Sequence, residues 1–275
     1  MHASSSSVFH GLIRCAVFSS CLGASAGIAA VPAGPPAVCR AESGQERLTV
    51  LELYTSEGCS SCPPADRWLS REFGSAQTAH GAVPLAFHVD YWNRLGWPDR
   101  FSRPEFSARQ QEIAARQRSA VIYTPQFVLD GRDVRPSSLP AGAGTVWRTD
   151  SSVPQAHIRI ATGAPSAANI RVEGSVEVAD PDLRARAAVR VALTQSALES
   201  QVTAGENGGR RLRHDHVVRA WAGPYTADAT GRIGFDVRLP RPAEFRLEHA
   251  NVTVLAEDTR TGRTLQALSV PVCRE

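Results

Sequence analysis

The chain has 275 residues and a net charge of +3, with 43% hydrophobic and 21% charged residues. This composition excludes wholesale disorder, and the length favours two domains. All 30 basic residues are arginine, so the chain has no lysine for Schiff-base chemistry or a phosphate-binding P-loop. No basic run stands out, and the charge therefore does not indicate a nucleic-acid partner.

The first thirty residues have the pattern of a secretion signal. His10 and Arg14 lie at or near the start of an apolar, small-residue run from Leu12 to Ala30. This run is too short and too interrupted to span a membrane. We expect a signal peptide at residues 1–30 and a periplasmic or secreted mature protein, without stable membrane insertion after cleavage.

The next segment predicts alternating strands and helices. Leu48 to Thr55 is a β-branched and aromatic run of strand length that leads to the C-x-x-C pair, Cys59 and Cys62. A helix should begin at Pro63 or Pro64, because each proline disfavours helix in the residue before it. A second strand is expected at residues 83–89.

A second helix and a hairpin complete this segment. The capping-box pattern Ser102-Arg103-Pro104-Glu105 predicts a helix that runs to about Gln117. Residues 121–123 and 126–129 are strand-like, and Asp130-Gly131 is a strong hairpin turn.

The second half of the chain has an all-β pattern. Residues 141–154 are rich in Ser, Pro and Gly and are interpreted as a linker. Six strands are expected after it, at residues 157–161, 170–178, 187–193, 216–221, 234–239 and 252–256. Short strands separated by turn signals favour a β-sandwich at residues 155–275.

The spacing of Cys59 and Cys62 permits three uses: a redox pair, two metal ligands or a structural staple. A thiolate at a helix N-terminus is stabilised, and a second cysteine two residues later can resolve a mixed disulfide. A staple of this length encloses almost no loop and contributes little entropy. We therefore favour Cys59 as the attacking thiolate and Cys62 as the resolving one.

The order of elements in residues 45–140 resembles the thioredoxin fold, which implies an α/β thioredoxin-like domain followed by the all-β sandwich domain. The resemblance implies that Thr124-Pro125 supplies a cis-proline beside the cysteines, where backbone groups of Thr124 bind an extended substrate. It also matches Glu52 to a buried carboxylate, which would take the proton of Cys62. The alternatives are a trans Pro125 and an exposed strand glutamate.

A narrower resemblance rests on longer motifs. The chain is similar to a bacterial family of secreted thioredoxin-like proteins, domain-of-unknown-function family 1223, from about Leu48 to the C-terminus. The segments that carry it are LELYTSEGCSSCPPAD, FHVDYWNRLGWPDRFS, ARQ, YTPQFVLDG and GENGGRRLRHDHVVR. The family implies a fold and a compartment, and its name supplies no reaction.

Two histidine groups are further candidates. His88 and Asp90 end a strand, and Trp92 and Trp97 follow. This group is either a metal or substrate site, with Trp92 binding substrate, or a loop held by buried aromatic residues around a hydrogen-bonded His88.

His214 and His216 alternate along a predicted strand, where they either ligate a metal or form a polar cap. The arginines at 210, 211 and 213, beside Glu206, are expected to bridge strands or domains rather than bind an anion.

Cys39 and Cys273 are predicted to form a structural disulfide. Two of the six cysteines leave with the signal, and export places the other four in an oxidising compartment. If Cys59 pairs with Cys62, then Cys39 and Cys273 remain for each other.

The sequence as a whole predicts thiol–disulfide exchange on protein or peptide thiols, without a cofactor. One alternative is a non-catalytic copper- or zinc-handling protein that binds the ion through Cys59, Cys62 and either His88 or His214. The initiator Met1 is the only methionine, so the mature chain has no thioether for a soft ion. The other alternative is a degenerate thioredoxin-like module that only binds.

Overall fold

The computed structural model describes residues 38–139, 145–147, 153–228, 230–242 and 244–274, and the expected signal peptide lies outside them. The first half contains β1 (Val38–Glu42), β2 (Thr49–Thr55), α1 (Pro63–Phe73), β3 (Ala82–His88), α2 (Pro104–Arg116), β4 (Gln126–Leu129) and β5 (Arg132–Val134). The second half contains β6 (His157–Gly163), β7 (Asn169–Glu177), α3 (Pro181–Arg184), β8 (Ala187–Gln195), β9 (Leu198–Gln201), β10 (Arg211–His214), β11 (Val217–Thr226), β12 (Arg232–Pro240), β13 (Ala250–Asp258) and β14 (Thr264–Pro271). Within these ranges, no helix has the length and apolar character needed to cross a membrane.

One large sheet organises the described chain. It has eight strands in the order β14-β13-β8-β11-β3-β2-β4-β5. β11 lies beside β3 in parallel, with Val217 opposite Ala86, and the Ala86 amide donates a hydrogen bond of 2.9 Å to the His216 carbonyl. Strands from both halves of the sequence therefore share one sheet.

The expected fold class, an α/β thioredoxin-like domain followed by an all-β sandwich domain, is wrong. Strand accounts for 43% of the structure and helix for 16%, and large sheets dominate. The sheet continues from residues 45–140 into residues 155–275, and the chain from residue 36 onward groups into one compact unit. The sequence missed this because the pairing of β3 with β11 joins residues far apart in the chain, and strand patterns carry no signal of such a partner.

A second sheet covers part of the first. Its order is β1-β6-β7-β12, and β9 and β10 form a separate two-stranded pair. Apolar side chains from both sheets make one core, for example Ile158 and Val172 from the small sheet with Val191 and Val254 from the large one. The two larger helices pack in separate hydrophobic cores. The core of α1 includes Leu51 and Phe127, and the core of α2 includes its own Phe106.

Most of the local predictions agree with the structure, including the start of α1 at Pro63 and all six strands of the second half. The hairpin turn is present, with positive φ at Asp130 (52°) and Gly131 (76°), a conformation that Asp-Gly accepts. Strands β1, β9, β10 and β14 were not expected.

Three local predictions are corrected. Residues 121–123 are not a strand: Val121 is 63% exposed and lacks the burial that stabilises a β-branched run. The N-cap of α2 is Arg103, which makes no side-chain capping bond, so the expected capping box is absent. Within the segment interpreted as a linker, Trp147 is buried and stacks on Trp68 and His80.

A buried ion-pair network joins α2 to the large sheet. Arg109 contacts Glu52 of β2 at 2.7 Å and Glu257 of β13 at 2.9 Å, and Arg190 of β8 contacts Glu257 at 3.0 Å. Burial alone would raise the pKa of Glu257, but Arg109, Arg190 and Arg116 outweigh it and lower the pKa to about 2. Glu257 is therefore a buried anion that pairs with three arginines, two from α2 and one from β8.

We expect acid to remove the contribution of Glu257 to stability. Because its folded pKa lies near 2, below the usual value of about 4.3 for an unfolded glutamate, this contribution is present above the unfolded value and lost as the pH falls through the folded one. Glu257→Gln should lower the free energy of unfolding at pH 7 by about 3–5 kcal/mol, because it removes one of the two carboxylates that pair with each of the buried Arg109 and Arg190. The substitution should also flatten the pH dependence of the free energy of unfolding, which is measured by urea unfolding.

The control is Glu177→Gln, which removes an exposed carboxylate from Arg159 and Arg232. Its effect should stay within about 1 kcal/mol. Equal effects of the two substitutions would contradict the role assigned to Glu257.

Cys39 and Cys273 form a disulfide across 234 residues, consistent with the expected pairing. Cys39 lies on β1 of the small sheet, and Cys273 follows β14 of the large sheet. The bond therefore ties the first described strand to the end of the last one.

Replacing this bond should destabilise the fold without breaking a regular element. The double variant Cys39→Ser/Cys273→Ser should lose about 2–5 kcal/mol of unfolding free energy, because the open chain has a larger unfolded ensemble. The measurement is urea unfolding without reductant, beside non-reducing peptide mapping of the wild type. Unchanged stability, or free thiols at both positions in the wild type, would refute the assignment.

Candidate functional site

The second disulfide, between Cys59 and Cys62, lies where β2 passes into α1. Cys62 is the N-cap of α1, and its carbonyl accepts the amide proton of Asp66 at 3.1 Å. The Cys59 sulfur lies 3.4 Å from the Ser61 hydroxyl. Both cysteines are 0% exposed, so the expected attacking residue, Cys59, is buried in the disulfide state.

A loop from the second half of the chain covers the cysteines. We call residues 204–209 the cover loop. Asn207 is fully buried, and its side-chain amide donates to the carbonyls of Glu57 (2.8 Å) and Cys59 (2.9 Å). The Ser60 amide donates to the exposed carboxylate of Glu206 at 2.9 Å. These three hydrogen bonds hold the cover loop on the cysteine turn.

The expected substrate-binding residues also lie near this turn. The peptide bond between Thr124 and Pro125 is cis. The Trp92 indole donates to the Thr124 hydroxyl at 2.8 Å, and a side chain at Gly58 would come within 3.3 Å of Trp92. Thr124, Pro125 and Trp92 are therefore grouped next to the cysteine turn.

A cavity opens beside this group. Its volume is about 480 Å³, and it is lined by exposed Ser61 and by Pro64, Trp68, Tyr123, Pro125 and Phe127. Its walls come from the cysteine turn, from α1 and from the segment that leads into β4. It is a mainly apolar recess, with Arg71 and Arg135 also in its lining, and one edge lies at the C-x-x-C motif.

The carboxylate of Glu52 is held by Arg109 and Tyr54. It accepts two hydrogen bonds from Arg109, at 2.7 and 3.0 Å, and one of 2.5 Å from the Tyr54 hydroxyl. Glu52 is also buried, so it is not the exposed strand glutamate of the alternative. Its role is in the ion-pair network with Arg109.

His88 is buried and oriented by a carboxylate. Its Nδ1 lies 2.7 Å from Asp99, which also accepts the amide protons of Glu57 and Phe101 at 2.9 Å. The hydrogen-bonded histidine of the second interpretation is therefore present. Burial alone would raise the pKa of Asp99, but His88 and the two amides lower it.

His214 lies against His88, with ring centroids 4.8 Å apart. Its Nε2 is 3.4 Å from Glu57, and its Nδ1 is 3.9 Å from Asp66, whose other oxygen accepts the Thr55 hydroxyl at 3.1 Å. Burial alone would lower the pKa of His214, but Asp66 and Glu57 raise it to about 10. The buried imidazole of His214 therefore faces two carboxyl groups.

The other candidates lie outside this cluster. His216 contacts the Gly74 carbonyl, at the opposite end of α1, so it does not share a site with His214. Arg210 donates to Asn207 at 3.0 Å, and Arg211 pairs with Glu199 on the neighbouring strand. Arg211 therefore bridges two strands, whereas Arg210 bonds within its own loop and Arg213 lies 3.6 Å from the nearby Asp215.

Sequence reasoning missed Glu57, Asp66, Asp99 and Asn207. Each lies in a loop or first helical turn near a cysteine or a histidine, in the stretches SEGC, PPAD, GWPDR and GENGG. The available signal was the density of polar residues in these stretches. That signal does not show that the side chains converge.

The fold is similar to two solved structures. An X-ray crystal structure of a protein from Agrobacterium tumefaciens has a TM-score of 0.57 at 22% identity, with 84% of this chain and 98% of that chain covered. HBP35 of Porphyromonas gingivalis has a TM-score of 0.57 at 12% identity, with 83% and 76% covered. At these identities the likeness concerns the fold alone.

No curated protein matches this chain. The model of one family, described as "Protein of unknown function (DUF1223)", matches residues 50–257, which include the C-x-x-C turn, the cover loop and the clustered histidines. Because the match spans well over half of the sequence, the chain belongs to the DUF1223 family.

Proposed function

We propose that the protein is exported and carries out thiol–disulfide exchange through Cys59 and Cys62. The observation that supports this most directly is a disulfide between residues only three apart, at the N-terminus of an 11-residue helix. So short a loop contributes little stability, so a structural role accounts poorly for the bond. A helix N-terminus stabilises the thiolate form that exchange requires.

The exchange needs only the two thiols and a partner disulfide. The Cys59 thiolate attacks one sulfur of the partner and forms a mixed disulfide, while the other partner sulfur leaves as a thiolate. The Cys62 thiolate then attacks Cys59 and releases the second partner thiol. The partner gains two electrons, and the Cys59–Cys62 disulfide forms; the reverse sequence oxidises a dithiol.

The surroundings of the cysteine turn support a protein or peptide as the partner. The recess lined by Trp68, Tyr123 and Phe127 begins at Ser61 and is wide enough for an apolar side chain. Trp92 lies beside Gly58 of the turn and donates to Thr124, the residue before Pro125 of the recess. A partner bound there would present its sulfur next to the C-x-x-C motif.

The alternative in which Cys59 and Cys62 ligate copper or zinc has less support. The two sulfur atoms are bonded to each other, so neither is a thiolate ligand in this state. Reduction would be needed before either could bind an ion.

Variants of the cysteine pair test the exchange. Cys59→Ser should abolish exchange with a model disulfide, whereas Cys62→Ser should accumulate a mixed disulfide through Cys59, because the resolving thiol is gone. The readout is mass spectrometry after incubation with a disulfide-containing peptide. The control is Cys39→Ser/Cys273→Ser, which removes both cysteines of the other disulfide and should retain exchange. If Cys62→Ser accumulates no mixed disulfide, the exchange proposal fails, and the interpretation as a module that only binds remains.

The cover loop should control access to the disulfide. Asn207→Ala removes two hydrogen bonds to the cysteine turn, and each such bond contributes about 1 kcal/mol. Reduction of Cys59–Cys62 by dithiothreitol should therefore be faster by roughly fivefold or more. The readout is thiol alkylation over time, with Asn169→Ala on β7 as control. Equal rates in the variant and the wild type would show that the cover loop does not limit access.

A further inference from the structure

A group of buried polar side chains beside the cysteines is not used by the proposed exchange. It contains His88 and His214 together with the carboxyl groups of Glu57, Asp66 and Asp99, and all five residues are buried. Ligand atoms of Asp66, His88 and His214 lie within 4.8 Å of one another. Three carboxyl groups thus surround two imidazoles, and buried charges of this kind are normally paired or bound to a metal ion.

The hydrogen-bonding state of the histidines is the second observation. His88 Nδ1 is paired with Asp99, but His88 Nε2 and both ring nitrogens of His214 have no hydrogen-bond partner among the described residues. The His88 and His214 side chains are 0% and 2% exposed, so water does not reach these nitrogens from the surface. Buried polar atoms without a partner cost free energy, which a ligand at this position would recover.

The spacing suits a metal ion better than direct hydrogen bonds. His214 faces Asp66 at 3.9 Å and Glu57 at 3.4 Å, and both distances are long for a strong hydrogen bond. Two ligands bound to one Zn²⁺ at about 2.1 Å in tetrahedral geometry lie about 3.4 Å apart. Small side-chain rotations would bring the ligand atoms of Asp66, His88 and His214 to this separation around one ion.

In each histidine, one ring nitrogen lies near a carboxyl group, and the second ring nitrogen is left to face the ion. Asp99 lies at Nδ1 of His88, and Glu57 lies nearest Nε2 of His214. Metal-binding histidines almost always carry such an outer partner, which fixes the ring and raises its basicity. This arrangement leaves Nε2 of His88 and Nδ1 of His214 for the ion, next to the Asp66 carboxylate.

We propose that Asp66, His88 and His214 bind a divalent first-row transition ion such as Zn²⁺, with Asp99 and Glu57 orienting the two imidazoles. Imidazole nitrogens favour ions of this class over Mg²⁺ and Ca²⁺. Three protein ligands leave a fourth position for water or another ligand. The site uses no cysteine and binds the ion while the Cys59–Cys62 disulfide is intact.

The test is Zn²⁺ titration of the oxidised, chelator-treated protein by calorimetry. We expect one equivalent per chain, and affinity at least tenfold weaker in Asp66→Asn and His214→Gln. His157→Gln, which removes a partly exposed histidine beside Glu42, and Cys59→Ser/Cys62→Ser should bind as the wild type does. Circular dichroism checks that the variants fold.

A spectrum of the wild type keeps the test decisive if a ligand variant fails to fold. Co²⁺ in place of Zn²⁺ should give the visible bands of a four- or five-coordinate ion, without a sulfur-to-metal charge-transfer band. A six-coordinate spectrum, or equal weakening by His157→Gln, would overturn the site. Binding that requires reduced cysteines would overturn it in favour of cysteine ligation. None of these results alters the exchange assay, so the two proposals can fail separately.

Discussion

The parallel pairing of β11 with β3 is the constraint on which the rest of the site depends. It places Val217 opposite Ala86 and the His216 carbonyl on the Ala86 amide. Residues 206–214, which precede β11, then reach the C-terminal end of β3 and the start of α1. That position puts Asn207 on the cysteine turn and His214 between Glu57 and Asp66. The two halves of the sequence build one site because they build one sheet.

The protein holds buried charge in two ways. Around Arg109, guanidinium groups meet Glu52 and Glu257 at 2.7–2.9 Å, and the carboxylates are satisfied. Around His214, the carboxylates lie at 3.4–3.9 Å and several nitrogens have no partner in the described structure. The first arrangement joins elements of the fold. The second leaves buried ring nitrogens of His88 and His214 without a hydrogen-bond partner among the described residues. Such groups are expected at a functional site rather than in a structural core.

The disulfide and the histidine cluster share their supports. Asn207 accepts from Arg210 and donates to the carbonyls of Glu57 and Cys59, so one side chain holds both the cysteine turn and the loop that carries Glu57. Asp99 holds the Glu57 amide while it orients His88. The cysteine turn and the histidine cluster are therefore held by the same hydrogen bonds. This physical link is short, since Glu57 and Cys59 are two residues apart.

The sequence by itself determined the local elements: the helix start at Pro63, the Asp130-Gly131 turn, the strands of the second half and the position of a cysteine pair at a strand–helix junction. These depend on proline geometry, turn chemistry and side-chain periodicity, which act over a few residues. Only the tertiary structure decided that both halves form one sheet. It also decided that Arg109 forms an ion pair with Glu52, and that Asp66, His88 and His214 lie together. Those contacts join residues far apart in the chain, where burial and charge pairing act between elements and leave no periodic trace in the sequence.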